Sequence, residues 1–277
     1  MKIKYLGTAA AEGVPAPFCE CKVCENARRK GGRNIRTRSQ ALIDDRILID
    51  LPADTYMHTL RENIKLCGLF ACLITHPHCD HLCPNELVCR FPVAAHMKEE
   101  KPFCIYGVDD TLEAIRQKGE FTAELEREGY LQLHRIEPFV PFEVEGYRIT
   151  ALKADHGTAQ PVFYLIEKSD RAMLYAHDTG FFPEETMDHL KKANVHLDLV
   201  SYDCTNVLLE WDNRHHMGLK GNKIMRDRLK EIGIIHSSTI HVLNHFSHNG
   251  GAGYDELVPL AQEMGFAVSC DGLEIVL

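Results

Sequence analysis

The chain of 277 residues has the composition of an ordinary globular protein, with 45% hydrophobic and 26% charged residues. That length suffices for a large buried core, and we predict a single domain over residues 1–277. Asp and Glu total 40 against 31 for Lys and Arg, which gives a formal net charge of −9. Proteins that grip long nucleic acids through the phosphates usually carry the opposite sign, so extended nucleic acid is disfavoured as a partner.

Neither a membrane span nor a secretory signal is predicted. The most apolar stretch, around residues 66–75, has only the length of a strand, whereas a span needs roughly 18 apolar residues. The eleven cysteines are odd in number and scattered, which is typical of free thiols in a reducing compartment. We therefore expect a cytoplasmic protein without a membrane partner, and a homodimer is one expectation for its assembly. Six cysteines are predicted to be small buried residues, namely Cys67, Cys72, Cys89, Cys104, Cys204 and Cys270.

Runs of β-branched and apolar residues alternate with segments of helical periodicity along the chain. In chain order these predict strands 2–6, 41–43 and 47–49, helix 53–64, strand 69–74, a mixed helical segment 109–129, strands 147–152, 162–167 and 172–175, helix 183–193, strand 197–201, helix 219–232, strand 239–242, helix 254–264, and strands 266–269 and 273–277. Runs of strands with helices between them indicate an α/β fold, in which two mixed β-sheets pack face to face with helices on the outer faces.

The most informative segment follows predicted strand 69–74 and consists of Thr75-His76-Pro77-His78-Cys79-Asp80-His81. Its three histidines and its aspartate are metal-ligand types, and the proline turns the chain from strand into loop. Such a loop can direct its first two histidines at one ion and the Asp80-His81 pair at a second. Without a cation, several buried polar groups would be left unsatisfied at once.

Three further ligand segments each follow a predicted strand: Asp155-His156-Gly157, Ala176-His177-Asp178-Thr179-Gly180 and Leu243-Asn244-His245. Together with the first segment they resemble the metallo-β-lactamase superfamily of binuclear hydrolases, over nearly the whole chain. The resemblance implies a four-layer αβ/βα sandwich and two divalent metals, either zinc or manganese, with iron equally compatible with the ligand types. It implies that one metal is bound by His76, His78 and His156, that the other is bound by Asp80, His81 and His245, and that Asp178 bridges them.

Two residues near these segments lie outside this ligand set. Asp50, at the end of predicted strand 47–49, resembles a carboxylate that orients a histidine ligand, although a turn carboxylate at a strand end is the alternative. His177 is left out of the ligand set, because the resemblance assigns the bridge to Asp178 and adjacent strand residues point in opposite directions.

A second metal site is predicted from Cys19-Glu20-Cys21-Lys22-Val23-Cys24. The last two cysteines have the spacing of a zinc knuckle, Cys19 can supply a third thiolate, and the fourth ligand must come from elsewhere. His248 is the best candidate, three residues beyond His245. A closed site of three Cys and one His would be structural; free core cysteines and a surface histidine are the alternatives.

The segment of residues 7–16 before these cysteines, the His177-Asp178-Thr179-Gly180 and His245-Phe246-Ser247-His248 segments and the ending 270–275 are similar to the PhnP family of phosphoribosyl 1,2-cyclic phosphate phosphodiesterases. The resemblance implies a structural zinc on Cys19, Cys21, Cys24 and His248. The chain departs from the family in residues 82–128 and 211–221, where substrate loops would lie, so the metal chemistry transfers more safely than the substrate.

The expected function is that of a metal-dependent hydrolase that opens small cyclic phosphodiesters. Two divalent ions would generate hydroxide from a bridging water, and Asp80 is expected to be catalytic as well as a ligand. The resemblance implies a non-ligand histidine as general acid; His216 is favoured over its neighbour His215.

Other functions remain open. A tRNA 3′-processing nuclease is disfavoured by the charge, and hydrolysis of lactones, thioesters or β-lactams is disfavoured by the cysteine knuckle. A non-catalytic carrier of the pyrroloquinoline quinone biosynthesis type is disfavoured by the complete ligand set. The basic residues between Arg28 and Arg38 either hold a substrate phosphate or form a solvated loop.

Overall fold

The computed structural model describes residues 1–193 and 195–277. In these ranges the strands are β1 (Lys2–Gly7), β2 (Gln40–Ile43), β3 (Ile47–Ile49), β4 (Ala71–Leu73), β5 (Phe103–Gly107), β6 (Leu131–Arg135), β7 (Phe142–Val144), β8 (Tyr147–Lys153), β9 (Val162–Lys168), β10 (Arg171–Ala176), β11 (Leu197–Asp203), β12 (Ile235–Asn244), β13 (Ala267–Val268) and β14 (Glu274–Val276). The α-helices are α1 (Lys22–Lys30), α2 (Thr55–Glu62), α3 (Asp109–Lys118), α4 (Thr122–Arg127), α5 (Glu184–Ala193), α6 (Leu219–Glu231) and α7 (Tyr254–Glu263).

The strands form two seven-stranded mixed sheets. The first has the order β14-β1-β2-β3-β4-β5-β6, and the second has the order β13-β12-β11-β10-β9-β8-β7. Neighbours are antiparallel from β14 to β3 and parallel from β3 to β6. The second sheet repeats this division, antiparallel from β7 to β10 and parallel from β10 to β13.

The core is layered because the central strands are apolar on both faces, as expected for strands buried on both sides. In β9, Val162, Tyr164 and Ile166 point into the core between the two sheets. Phe163 and Leu165 point the other way, into a second core that also includes residues of α5, α6 and α7. A third core packs the outer face of the first sheet against α3 and α4. The predicted four-layer sandwich of two mixed sheets is thereby confirmed.

Several predicted elements differ from the structure. Helix α1 and strands β5, β6 and β7 were not predicted, and the helical segment 109–129 is two helices, α3 and α4. The two C-terminal strands do not lie together: β13 joins the second sheet and β14 the first. Both strands are short and half-exposed, so their sequences carry no periodicity that would show which sheet each strand joins.

The cysteine prediction was wrong for half of its members. Cys72, Cys204 and Cys270 are buried, whereas Cys67 and Cys89 are exposed and Cys104 is half-buried. All eleven cysteines are free thiols. No helix in the described residues has the length and apolarity to cross a membrane. The single domain, the cytoplasmic location and the homodimer stay predictions.

Candidate metal centre

The predicted ligands meet at one edge of the two sheets. Strands β3 and β4 run parallel in the first sheet, and β10, β11 and β12 run parallel in the second. Their carboxyl ends therefore lie on a common edge, where rigid strands position the side chains that follow them. All seven predicted ligands, from His76 to His245, lie in this region.

The first group of ligand atoms consists of three histidine nitrogens. Nδ1 of His78 lies 3.0 Å from Nε2 of His76 and 3.1 Å from Nε2 of His156. Two nitrogens bound to one tetrahedral zinc ion are separated by about 3.3 Å, given a Zn–N distance of about 2.05 Å. The spacing of these three atoms therefore matches a common ion.

The second group combines histidines with a carboxylate. Nε2 of His81 lies 3.2 Å from Nε2 of His245 and 3.3 Å from Oδ2 of Asp80. The same Asp80 oxygen is 3.8 Å from the His245 nitrogen. Three donors within bonding reach of one point form a second site beside the first.

Asp178 lies between the two groups. Its Oδ1 is 3.6 Å from Nε2 of His156, while its Oδ2 is 2.6 Å from Nε2 of His81 and 3.1 Å from Nε2 of His245. Each oxygen thus faces a different group, which is the arrangement of a bridging carboxylate. Although Oδ2 is buried, no described residue donates a hydrogen bond to it.

Hydrogen bonds on the far side of the rings fix their orientation. Nδ1 of His81 is 2.6 Å from Oδ2 of Asp50, and Nδ1 of His245 is 2.7 Å from Oγ1 of Thr205. With its Nδ1–H donated to Asp50, neutral His81 directs a lone pair at Asp178 Oδ2, which is itself an acceptor. Only a cation or an added proton makes that contact favourable. The residues therefore fit two divalent metal ions, and Asp50 has the orienting position that its resemblance implied.

The electrostatics of the centre favour a bound cation. Burial would lower the pKa of His245, but Asp178 and Asp203 outweigh it and raise that pKa to about 10. Burial and the neighbouring His81 hold the pKa of His76 well below its ordinary value. His76 thus presents a neutral nitrogen, whereas the surroundings of His245 draw in positive charge, which a metal ion would supply in place of a proton.

Three residues at the centre adopt left-handed backbone. Asp50, Asp178 and His245 have φ of 66°, 50° and 62°, where a non-glycine residue costs of the order of 1–3 kcal/mol. Each follows the end of a strand and turns its side chain back over the sheet edge. This strain is the kind that functional sites retain.

Asp203, at the end of β11, was missed by the sequence analysis. Its side chain is fully buried and accepts hydrogen bonds from the backbone N–H groups of Asp178, Thr205 and Met217. Its Oδ2 also lies 3.0 Å from Nδ1 of His216. Its place at a strand end, like those of Asp50 and Asp178, was the signal that could have found it.

The two candidate general acids differ in their surroundings. His216 lines the cleft, and its contact with Asp203 leaves Nε2 free. Burial would lower the pKa of His216, but Asp203 raises it above the ordinary value. His215 is half exposed, and its Nδ1 lies 3.7 Å from Oδ1 of Asp155. The geometry favours His216.

His177 does not face the metal centre. Its Nε2 lies 2.7 Å from Oγ of Ser201 and its Nδ1 lies 3.2 Å from the side-chain amide of Asn244. Burial lowers the pKa of His177 to about 3, so it is a neutral core residue. Its exclusion from the ligand set agrees with this placement.

The cysteine cluster forms a separate site. Nδ1 of His248 lies 3.5 Å from Sγ of Cys19 and 3.4 Å from Sγ of Cys21, and Cys24 completes the group. A tetrahedral zinc ion separates sulfur and nitrogen ligands by about 3.6 Å, given its bond lengths. Cys21 precedes α1, and although burial opposes it, the backbone N–H of Cys24 and the contact with His248 lower the Cys21 pKa. These donors fit a structural zinc ion.

The basic residues between Arg28 and Arg38 do not line the cleft, and most of them are exposed to solvent, as the solvated-loop interpretation expected, whereas Arg36 and Arg38 are not. Arg28 and its two neighbours form the last turn of α1, where cations suit the helix dipole. The guanidinium of Arg36 is buried 4.0 Å above the ring of Phe246. Arg38 is bound to the carbonyl of Ala11 and to the carboxylate of Asp54.

A cleft of about 310 Å³ opens onto both ligand groups. Its walls come from four segments, around Ala10, Asn206, Trp211 and Asn249. Asp80, Asp178 and His216 are among the polar groups that reach it. A volume near the lower end of the range for ligand sites suits a small molecule or a single residue of a polymer.

A family model described as "Beta-lactamase superfamily domain" matches residues 45–242. Ribonuclease Z of Listeria innocua is 29% identical over 182 residues, 64% of this chain and 52% of that protein, so the chain aligns with about half the length of this curated relative. A solved diphosphatase from the PhnP family has a TM-score of 0.75 at 21% identity, covering 99% of this chain and 97% of its own. Zinc-bound PqqB from Methylobacterium extorquens has a TM-score of 0.74 at 19% identity, covering 100% of both chains.

The two structural likenesses show the fold, and the family model covers well over half of the chain. The resemblance drawn from the ligand motifs is thereby confirmed. This chain belongs to the beta-lactamase superfamily and has the metallo-β-lactamase fold.

Proposed function

We propose that this chain is a metal-dependent phosphodiesterase that opens small cyclic phosphodiesters of sugars, of the phosphoribosyl 1,2-cyclic phosphate type. The observation that carries the proposal is the pairing of a candidate bridged ligand set with an adjoining Asp203–His216 pair at one cleft. The ligand set would hold metal ions that can bind a phosphate, and the Asp203–His216 pair can donate a proton to a leaving group.

Seven side chains would hold two divalent ions, as grouped above around Asp178. Such ions supply a nucleophile at neutral pH by lowering the pKa of bound water, and they offset the charge that develops on phosphoryl oxygens. Asp80 would be catalytic in the sense that it would hold the second ion together with His81 and His245, and it also reaches the cleft.

His216 supplies the proton that the leaving sugar oxygen needs. In the hydrolysis, the oxygen of one water forms a bond to phosphorus and one phosphorus–oxygen bond of the ring breaks. The departing oxygen takes a proton from Nε2 of His216, the attacking water gives up one proton to solvent, and His216 takes a proton back from solvent. The products are a phosphomonoester and a free hydroxyl. Asp203 holds Nδ1 of that ring and raises the pKa of His216, which favours the protonated state that a general acid requires.

The proposal is tested by ³¹P NMR of the manganese- or zinc-loaded protein with ribose 1,2-cyclic phosphate, 2′,3′-cyclic nucleotides and an aryl phosphodiester. Opening of a cyclic diester by the wild-type protein, lost in Asp80→Ala, is the expected result. Turnover of the aryl diester alone would support the metal-dependent chemistry but refute cyclic diesters as the substrates. No turnover of any diester by protein with measured metal content would overturn the proposal and favour a carrier role, in line with the similarity to PqqB.

The similarity to ribonuclease Z supports a second candidate, cleavage of tRNA precursors at the 3′ side. The net charge of −9 and the absence of lysine and arginine among the described residues of the cleft weigh against it. A precursor tRNA incubated with the same metal-loaded protein distinguishes the two. Specific cleavage there, with no opening of cyclic diesters, would replace the first proposal by the second.

A further inference from the structure

A second cavity lies away from the metal centre, between the C-terminal half of α6 and the first part of β12. Its volume is about 410 Å³. His241 lines this cavity and precedes the metal-ligand candidate His245 by four residues, which along a strand is about 13 Å. The cavity is therefore distinct from the cleft that opens onto the candidate metal ligands.

An irregular stretch of β12 borders the cavity. Between two pairs of the β11–β12 ladder, β12 advances five residues, from Ile235 to Ile240, while β11 advances two. The stretch is held in place, because the N–H of His236 donates to Oγ1 of Thr239 at 3.0 Å and that hydroxyl donates to the carbonyl of Leu197 at 2.7 Å. Bulges of this kind redirect side chains away from the ladder. Here the extra residues bring imidazole and hydroxyl groups to the cavity.

The guanidinium of Arg226 is fixed at the cavity wall. Its carbon lies 4.6 Å from the ring centre of Phe266, and its Nη1 donates to the carbonyl of Met264. Gly265, with a φ of 77°, leaves room for this group, since a Cβ there would lie 3.0 Å from Nη1. A guanidinium held from three sides can offer its remaining N–H groups to a ligand with little further loss of side-chain entropy.

His241 supplies a second directed donor. Its Nδ1 lies 2.9 Å from the hydroxyl of Tyr202, which is fully buried and has no other partner among the described residues. The hydroxyl therefore donates to Nδ1, so the imidazole carries its own proton on Nε2. Burial and the nearby Arg226 lower the pKa of His241 to about 4, so the ring is neutral at pH 7. The Nε2–H is thus available to a ligand in the cavity.

The charges of the cavity favour an anion. Arg226 and Lys230 lie one turn apart on α6 and therefore on the same helix face. Lys230 is exposed and forms no ion pair within the described residues. The carboxylate of Asp227 also lines the cavity, but it lies 3.2 Å from the ammonium of Lys223 and 3.9 Å from Nε of Arg226. Two cations and one paired carboxylate leave a local positive charge on a chain whose net charge is −9.

We propose that this cavity binds a phosphoryl group, carried by a phosphomonoester or present as free phosphate, through Arg226, Lys230 and the Nε2–H of His241. Donors reach the cavity from a helix and from a strand, which suits the several oxygens of a tetrahedral anion better than the two oxygens of a carboxylate. The rest of the cavity, beside Ile235 and Ser237, accommodates the organic part of an ester. This site does not depend on the reaction proposed for the metal centre.

NMR titration of zinc-loaded protein labelled with ¹⁵N-histidine tests the proposal. A phosphoryl group can also bind at the metal centre, so the place of binding has to be observed directly. Ribose 5-phosphate serves as the ester and inorganic phosphate as the free anion. We expect either probe to shift the imidazole ¹⁵N signals of His241, assigned with His241→Gln, in a saturable manner. Tighter binding of ribose 5-phosphate assigns the site to esters, whereas equal binding assigns it to free phosphate; acetate should bind more weakly than both.

Variants of α6 show which residues bind the anion. Lys230→Gln should weaken binding at His241 about tenfold, because one charge-assisted contact is lost. Lys220→Gln is the matched control, since it removes an exposed cation of the same helix outside the cavity lining and should leave the affinity unchanged. Arg226→Gln should weaken binding further. Because Arg226 also packs on Phe266, Tm is measured, and Arg226→Lys, which retains the charge, should recover part of the affinity.

Three results would each overturn the proposal. The first is a titration in which only the histidines of the metal centre shift. The second is equal affinity of Lys230→Gln and Lys220→Gln for both probes. The third is binding of acetate at His241 as tight as that of phosphate. None of these results bears on diester hydrolysis, which is measured separately at the metal centre.

Discussion

Replacing Asp203 by asparagine tests the positioning of His216 without removing a predicted metal ligand. The carboxylate accepts five hydrogen bonds: three at Oδ2, from the N–H of Asp178, the hydroxyl of Thr205 and Nδ1 of His216, and two at Oδ1, from the N–H groups of Thr205 and Met217. In Asp203→Asn an NH₂ group must take the place of one oxygen. Whichever orientation it adopts, at least two donors lose their acceptor.

The magnitude follows from that count. A buried donor left without a partner costs about 1–3 kcal/mol, so two of them cost about 3 kcal/mol. For a chain of this size, that corresponds to a fall in Tm of roughly 5–10 °C. The assay is thermal unfolding at pH 7, with Asp198→Asn as control. Asp198 lies on the same strand, accepts from Arg171 and the N–H of Ala172, and is far less buried.

The same substitution should shift the pH dependence of activity. Asp203 raises the pKa of His216, so the wild-type acid stays protonated at a higher pH than an ordinary histidine would. In Asp203→Asn burial prevails and the pKa falls, so the descending limb of kcat against pH moves to lower pH. An unchanged limb, or a Tm no lower than that of Asp198→Asn, would refute the role given to Asp203.

Three further predictions concern the centre and the cysteine cluster. His216→Ala should lower kcat by about 10²–10⁴-fold on a cyclic sugar diester but little on an aryl diester, because the aryl leaving group needs no proton. His215→Ala should change kcat on neither substrate. Equal losses of kcat on both diesters would argue against an acid role for His216. Asp50→Asn should weaken metal binding by about 10–100-fold, because the ring of His81 loses its orienting carboxylate. Competition with a chelator measures the metal affinity, and an affinity equal to that of the wild type would contradict the orienting role of Asp50. Cys21→Ser should reduce the zinc content by one ion and lower Tm, and an unchanged zinc count would eliminate the structural site.

The clustering of the candidate ligands was predictable because each of them lies in a short segment after a strand. The string from His76 to His81 places several metal-binding types within one loop, and the fold then brings His156, Asp178 and His245 to the same edge. The sheets themselves followed from apolar runs such as β9, which is buried on both faces. In both cases several residues of one type lie close together in the sequence, so few other structures are compatible with the pattern.

What could not be predicted depends on contacts between distant segments. Asp203 is one carboxylate among many in the sequence, and its role appears only when His216 and the N–H of Met217 are brought to it. Arg36 appeared part of a basic run, but it packs on Phe246, which is 210 residues away in the chain. Strands β13 and β14 are too short to carry a periodicity, so their assignment to opposite sheets is decided by tertiary pairing.

The segment from Asn244 to His248 explains why the two metal sites occur together. It begins at the end of β12, turns through the left-handed backbone of His245 into the binuclear centre, and then directs His248 at the cysteines. Between them, Phe246 hydrogen-bonds to Thr8 and Ala10 through its backbone, which fixes the segment against the N-terminal loop. A zinc ion on the cysteines would hold the far end of this segment and so restrict the freedom of a strained ligand three residues earlier. A zinc ion there would thus be more than a local support: by holding His248 it would stabilise the backbone conformation that directs His245 at the other candidate metal ligands.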